Sequence, residues 1–321
     1  MYFFGKIVLT FFLVWLVNSP FYAQDASYAV FNYNKLKLNT AFTGLNPNAE
    51  LQMYYRNQWP GVQGGYTNYS ASVQNKSKWL HGALGFVISK DVQGGNTFTE
   101  TDIMLIYNYQ FQLSKKIKSA FSIAPVYRQY MLNTANLILP DRIHPLYGIQ
   151  SSGVEILKGY KMNILHFSTG YVVYTKRLAA GLALFNVGML NFSDLAYTNP
   201  LRIHGHVSGS FLVNSLQMIN VSPQLVVIKQ GGFLMLNYGI QTSKYPMLAG
   251  VRLQQNLLPQ MQFTGLVILT AIQTEKVSIG YSLTLHGAKT FVPFLGAHEI
   301  MLKFSGGLNN NNKNQISCPA F

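Results

Sequence analysis

Charge is scarce in this sequence: of 321 residues only 11 % are Asp, Glu, Lys or Arg, well short of the ~25 % usual in soluble domains. That deficit excludes a surface that faces water throughout. Cysteine occurs once, at Cys318, so no intrachain disulfide braces the fold. Beyond the first two dozen residues no apolar run reaches the ~20 residues that a membrane-crossing helix needs, which excludes a helical membrane protein. Acidic side chains number 10 against 24 Lys and Arg, a formal charge of +14. An excess of that size can mark a nucleic-acid partner. Here the basic residues are spread out, with no cluster longer than Lys115–Lys116, so none is expected. P-loop, GxSxG and HExxH patterns are all missing, and with them any sign of catalysis or of a cofactor.

What the chain has in abundance is Tyr (20), Phe (21), Gly (27) and alternation. The clearest stretch is 98–113, FTETDIMLIYNYQFQL. Thr99, Thr101, Ile103, Leu105, Tyr107, Tyr109, Phe111 and Leu113 fall on one side of an extended chain. Phe98, Glu100, Asp102, Met104, Ile106, Asn108, Gln110 and Gln112 fall on the other. About 9–11 tilted residues cross a bilayer as a strand, and this run is far longer than the usual 5–6 of globular sheets. It reads as one stave of a transmembrane barrel. Similar stretches at 51–57, 68–75, 79–90, 117–131, 163–175, 177–188, 203–213, 218–229, 232–242, 246–255, 259–270, 275–284 and 297–305 bring the expected number to about fourteen, even as bacterial barrels require. The expected fold is all-β, an antiparallel outer-membrane β-barrel over residues 49–305.

The connections supply a second signal. Those near 76–78, 114–116, 175–176, 214–217, 243–244 and 273–275 are short, whereas most of the others, 60–67, 91–97, 132–162, 189–202 and 286–296, are longer, Gln230-Gly231 and the gap before Pro259 excepted. Outer-membrane barrels have short periplasmic turns and longer outside loops. A soluble sandwich or propeller predicts no such rhythm. It puts both termini in the periplasm, in the outer membrane of a Gram-negative envelope. Ahead of the barrel, residues 1–23 read as a secretory signal, with Lys6, an apolar core at 7–17 and the Asn18-Ser19-Pro20 breaker. Residues 24–48 show little periodicity and are expected to plug the lumen or reach toward periplasmic machinery. Residues 306–321 form a Gly- and Asn-rich tail.

Few residues suggest chemistry. His204 and His206 share a strand face, but with no Asp, Glu or Cys nearby a metal site is not expected. Glu100 and Asp102 share another and read as solvated lumenal charges. Arg56 alternates with Tyr54 and Gln58, so the three share a face. If that face is the lumen, Arg56 can pair with Glu299 where the first and last strands close the barrel, since Glu299 and Lys303 would be costly in lipid.

Four stretches resemble the PorP/SprF family of outer-membrane proteins associated with type IX secretion and gliding motility. Gln24-Asp25 through Tyr28, Phe31-Asn32 and Asn39-Thr40-Ala41-Phe42-Thr43-Gly44 resemble the family's opening, with Ala26 and Thr40 where proline is usual. Tyr55-Arg56-Asn57-Gln58-Trp59-Pro60-Gly61 is similar to its Tyr-Arg-x-Gln-Trp-x-Gly. His298-Glu299-Ile300-Met301-Leu302 resembles its last strand, and Cys318-Pro319-Ala320-Phe321 its ending, with Ala320 in place of a basic residue. The resemblance implies a fourteen-stranded barrel that is not itself the export pore. It implies a partner held at the cell surface, a secreted adhesin-like protein bound through its carboxy-terminal domain, together with periplasmic type IX components and outer-membrane lipid. Arg56, Gln58, Trp59, Gly61, Glu299, Cys318 and Phe321 become candidates for partner binding or barrel closure. The competing expectation is a porin or hydrophobic-solute transporter.

Overall fold

The computed structural model describes residues 28, 30–46, 48–77, 79–134, 143–144, 148–149, 159–193, 199–214, 218–287 and 296–306. The expected signal segment and tail, with Cys318 and Phe321, lie outside them. Fourteen antiparallel staves form the wall: β1 (Ala49–Gln58), β2 (Tyr66–Ser77), β3 (Gly82–Gln93), β4 (Phe98–Gln112), β5 (Lys118–Leu132), β6 (Tyr160–Tyr174), β7 (Leu178–Asn191), β8 (Arg202–Gly209, continued by Phe211–Asn214), β9 (Ile219–Gln230), β10 (Phe233–Lys244), β11 (Met247–Leu258), β12 (Gln262–Gln273), β13 (Val277–His286) and β14 (Ala297–Gly306). Both pieces of β8 pair with β9, which makes them one stave interrupted at Ser210. Each stave pairs with its sequence neighbours, and β1 pairs with β14 over ten residues, Ala49 opposite Gly306 to Gln58 opposite Ala297. The sheet has no free edge, as lipid demands of a spanning structure.

Alternation sorts the side chains as expected. On β4, Ile103, Leu105, Tyr107 and Tyr109 are exposed on the outer wall, while Asp102, Met104, Ile106 and Asn108 are buried inside. The outer face elsewhere is Leu84, Phe86, Ile88, Phe121, Ile123, Ile268, Ile279 and Tyr281. Such a wall is stable only against acyl chains, because ordinary soluble proteins do not expose a contiguous apolar surface of this extent. β3 starts three residues later than its pattern suggested. Trp79–His81 form a turn, with His81 in the left-handed region (φ 50), so the alternation read there continues past the point where the ladder ends.

Inside the wall lies the segment before β1. Two 3-10 turns, Phe31–Tyr33 and Thr40–Phe42, flank one α-helical turn, α1 (Lys35–Leu38). Tyr28, Val30, Phe31, Tyr33, Leu36, Leu38, Ala41, Phe42 and Leu45 are all buried, and they form one cluster with inward Met104, Ile106, Val126, Val172, Val267, Leu269 and Met301. An isolated segment this short would not hold helical turns in water. Contact with the wall on every side replaces its solvent and explains its lack of amphipathic period. The described part of residues 24–48 thus lies inside the wall.

Candidate functional site

The lumen is where barrel and plug meet, and polar side chains fix the plug there. Asn39 makes the most contacts. Its side-chain oxygen accepts from Ala41 N (2.9 Å), and its Nδ2 donates to the carbonyls of Tyr171 and Leu182 (3.2 Å each) and lies 2.9 Å from His206 Nε2. His204 Nδ1 donates to Leu38 O at 2.8 Å, and Phe42 lies against the His206 ring with centroids 5.0 Å apart. The His204/His206 pair thus grips the plug. Thr40 and Ser122 hydroxyls are 2.7 Å apart. Asn108 Nδ2 donates to Thr43 O (2.6 Å), and Gln74 Oε1 accepts from Gly44 N (2.8 Å). Gly44 has φ 64, and a Cβ there would strike Ala83, so only glycine lets the chain leave the plug so close to the wall. At its far end Tyr33 hydroxyl meets Ser278 Oγ at 2.8 Å.

Higher in the lumen, toward the long-connection end, sits the densest charge cluster. Asp102 accepts two hydrogen bonds from Arg128, Nε to Oδ1 at 2.7 Å and Nη2 to Oδ2 at 2.9 Å, and a third from Lys37 at 3.2 Å. Glu100 lies 3.1 Å from the same guanidinium. These carboxylates are therefore not solvated lumenal charges, as their spacing suggested. They are ion-paired against the plug, with Asp102 only 4 % exposed. Burial pulls the Lys37 ammonium down, but Asp102 and Tyr28 more than offset this and leave its pKa raised, so the plug keeps its charge at neutral pH. Beside the cluster is a cavity of about 50 Å³, bordered by Asp91, Arg202 and His166 among others. Lys37, Asp102 and Arg128 were not singled out together by sequence: Lys37 is 65 positions from Asp102 and Asp102 is 26 from Arg128, and of the three only Asp102 stood out in the alternation.

The seam residues fall as follows. Arg56 and Glu299 face each other in the register of β1 and β14, with Nε to Oε1 at 3.5 Å. Glu299 is fully buried and also accepts from Ser282 Oγ (3.0 Å), while Arg56 donates to Gln58 Oε1 (2.9 Å). Trp59 stands above the seam in a left-handed conformation (φ 59) that a bulky residue seldom adopts. Its backbone N–H donates to Gly296 O at 2.9 Å, and its ring meets Tyr66 edge-on at 5.2 Å. Gly61 lies exposed in the following turn. Truncating Arg56 strands Glu299 in the lumen wall. An Arg56→Ala barrel is expected to lose about 3 kcal/mol, the low end for a broken buried pair. The check is the temperature at which the folded, fast-migrating band disappears on a gel. A midpoint equal to the parent's would show that the pair contributes nothing to closure.

A closed antiparallel cylinder with an apolar outer face and a filled, polar-walled lumen defines an outer-membrane β-barrel. This chain belongs to the family of type IX secretion system membrane proteins PorP/SprF, whose model matches residues 21–304. No curated protein matches the sequence. Among solved structures, the chain is similar to a Pseudomonas aeruginosa FadL homologue, at 9 % identity over 89 % of this chain and 100 % of that one, TM-score 0.47. It is also similar to the Acinetobacter baumannii outer membrane protein Omp33, at 8 % over 82 % and 100 %, TM-score 0.39. A third is BamA from Haemophilus ducreyi lacking POTRA domains 1–3, at 8 % over 81 % and 71 %, TM-score 0.37.

Proposed function

We propose that this barrel is a binding component of the type IX machinery. It anchors a secreted, adhesin-like surface protein, such as one serving gliding, by holding that protein's carboxy-terminal domain at the cell surface. The observation that carries the reading is the filled lumen. A wall whose interior is occupied by its own residues 28 and 30–45, tied down by Asn39, Lys37 and Tyr33, is suited to presenting its ends and not to passing a polypeptide. In this reading the long connections face outward and take the cargo, because loops on a rigid scaffold are where partners are bound. The short turns face the periplasm, where Lys115, Lys116, Lys176, Arg177, Lys244 and Lys276 meet anionic head groups and other secretion components. Both termini then lie on the periplasmic side, and the role involves no chemistry.

The test is recovery of the cargo. Barrel purified from cross-linked native membranes is expected to bring down a secreted protein, and to lose it when that protein's carboxy-terminal domain is deleted. If cells without the barrel still display the same surface proteins, the anchoring role is overturned.

A further inference from the structure

The outer wall carries a feature that neither closure nor cargo binding uses. Every charged side chain at an outward position of the described staves is a lysine: Lys90, Lys161, Lys229 and Lys244. The stave acids, Glu50, Asp91, Glu100, Asp102 and Glu299, all point inward. Of the four lysines, Lys90 stands furthest inside its ladder. It is opposite Tyr69 on one side and Thr101 on the other, and Tyr69 is in turn opposite Tyr55. No hydrogen bond or ion pair engages its ammonium among the described residues.

The row in which it lies marks a boundary on the wall. Followed around the barrel, it passes from Thr101 to Gln129 to Asn163. There Gln129 Nε2 donates to Asn163 Oδ1 at 3.2 Å, and the Tyr127 hydroxyl donates to the same oxygen at 2.9 Å. Polar groups and tyrosines at one level are what the membrane–water interface selects. Directly beneath, Ala71 stands between Met53 and Ile88, a single methyl where its neighbours carry long side chains. The result is an apolar depression of about 430 Å³ walled by Met53, Ile88, Ile300 and Leu302, with Lys90 at its rim. A second outer depression, of about 540 Å³ near Leu84, Phe86 and Leu105, has no charged residue in its lining.

We propose that the depression at Ala71 seats one acyl chain of a phosphate-bearing lipid, whose head group is held by the Lys90 ammonium with the Tyr69 and Tyr55 hydroxyls beside it. Charge complementarity at the right height selects such a lipid: an unpartnered cation stands at the interface row, an apolar seat lies one row below, and no outward carboxylate on the described staves repels a phosphate. The site lies on the β14–β1–β2–β3 face, next to the closure seam, and is independent of the cargo reading.

The purified full chain in detergent, titrated with phosphatidylglycerol or with phosphatidylcholine of the same chains, is read by native mass spectrometry. Preferential binding of one phosphatidylglycerol is expected. Lys90→Gln should weaken it about five-fold, the effect of one lysine near an anionic surface, and Ala71→Phe should abolish it by filling the seat. Lys229→Gln, on the far wall, should leave that lipid in place. These side chains point away from the lumen, and retention of the heat-resistant folded band verifies that each variant is intact. Equal binding of the two lipids, or equal loss in Lys90→Gln and Lys229→Gln, overturns the proposal. So does a photo-crosslinker at position 71 that captures a second copy of the chain in native membranes instead of lipid.

Discussion

Deleting residues 28–45 is expected to turn a barrel that carries no steady current into an open channel. The wall does not need the plug to close, since its ladder runs unbroken from β1 to β14 and back. The inward face left behind is largely able to be wetted. Asn68, Ser70, Ser72, Gln74, Ser122, Gln224, Asn237, Ser282 and Thr284 line it, so water can replace the contacts that the plug made. The apolar patch of Met104, Ile106 and Val126 would then border an aqueous lumen, at some loss of stability but without breaking a strand pair. Planar bilayers give the readout: silence from the intact protein, and persistent ohmic steps from the plug-deleted one. Open channels of similar size from the intact protein would mean that the plug leaves the lumen readily, and would favour a transporter. A milder variant, Asn39→Ala, removes the contacts to Tyr171, Leu182 and His206 while keeping the segment, and is expected to produce brief openings.

Asp102→Ala is expected to be the most damaging single substitution in the lumen. The carboxylate balances two cations, Arg128 from the wall and Lys37 from the plug, at 2.7 to 3.2 Å. Removing one member of a buried ion cluster leaves charge without compensation and costs about 3–5 kcal/mol. Glu100 remains near Arg128 at 3.1 Å, so the larger share of the loss should fall on Lys37 and appear as loosening of the plug. Lys37→Ala should cost less, because Asp102 keeps both Arg128 contacts. Urea unfolding of the detergent-solubilised barrel, compared across Asp102→Ala, Lys37→Ala and the parent, measures the order. If Lys37→Ala proves as harmful as Asp102→Ala, the cluster would be anchored chiefly through the plug.

The staves could be read from the chain alone because a membrane wall enforces a period of two with unusual severity. Ile103, Leu105, Tyr107 and Tyr109 must all meet acyl chains, and their alternate partners cannot. The same logic placed Glu299 on the inward face and offered Arg56 as its partner there, and the register of β1 against β14 brings them opposite. What lies beneath the wall leaves no such mark in the chain. Met104 and Ile106 sit among the inward residues of β4, where alternation alone gives no reason for apolar side chains. They lie against the plug. Glu100 and Asp102 read as solvated because their partners, Arg128 and Lys37, are distant in the chain.

Fold class, number of staves and the inward carboxylates were thus decided locally, by alternation and turn spacing, since each strand contacts the same lipid and pairs with its chain neighbours. The filling of the lumen was decided elsewhere. Lys37 finds Asp102, Asn39 finds His206 and Tyr33 finds Ser278 across 65, 167 and 245 positions. A segment buried on every side carries no periodic mark of where it goes. Its place is set by the shape and polarity of the cavity that the closed wall leaves open.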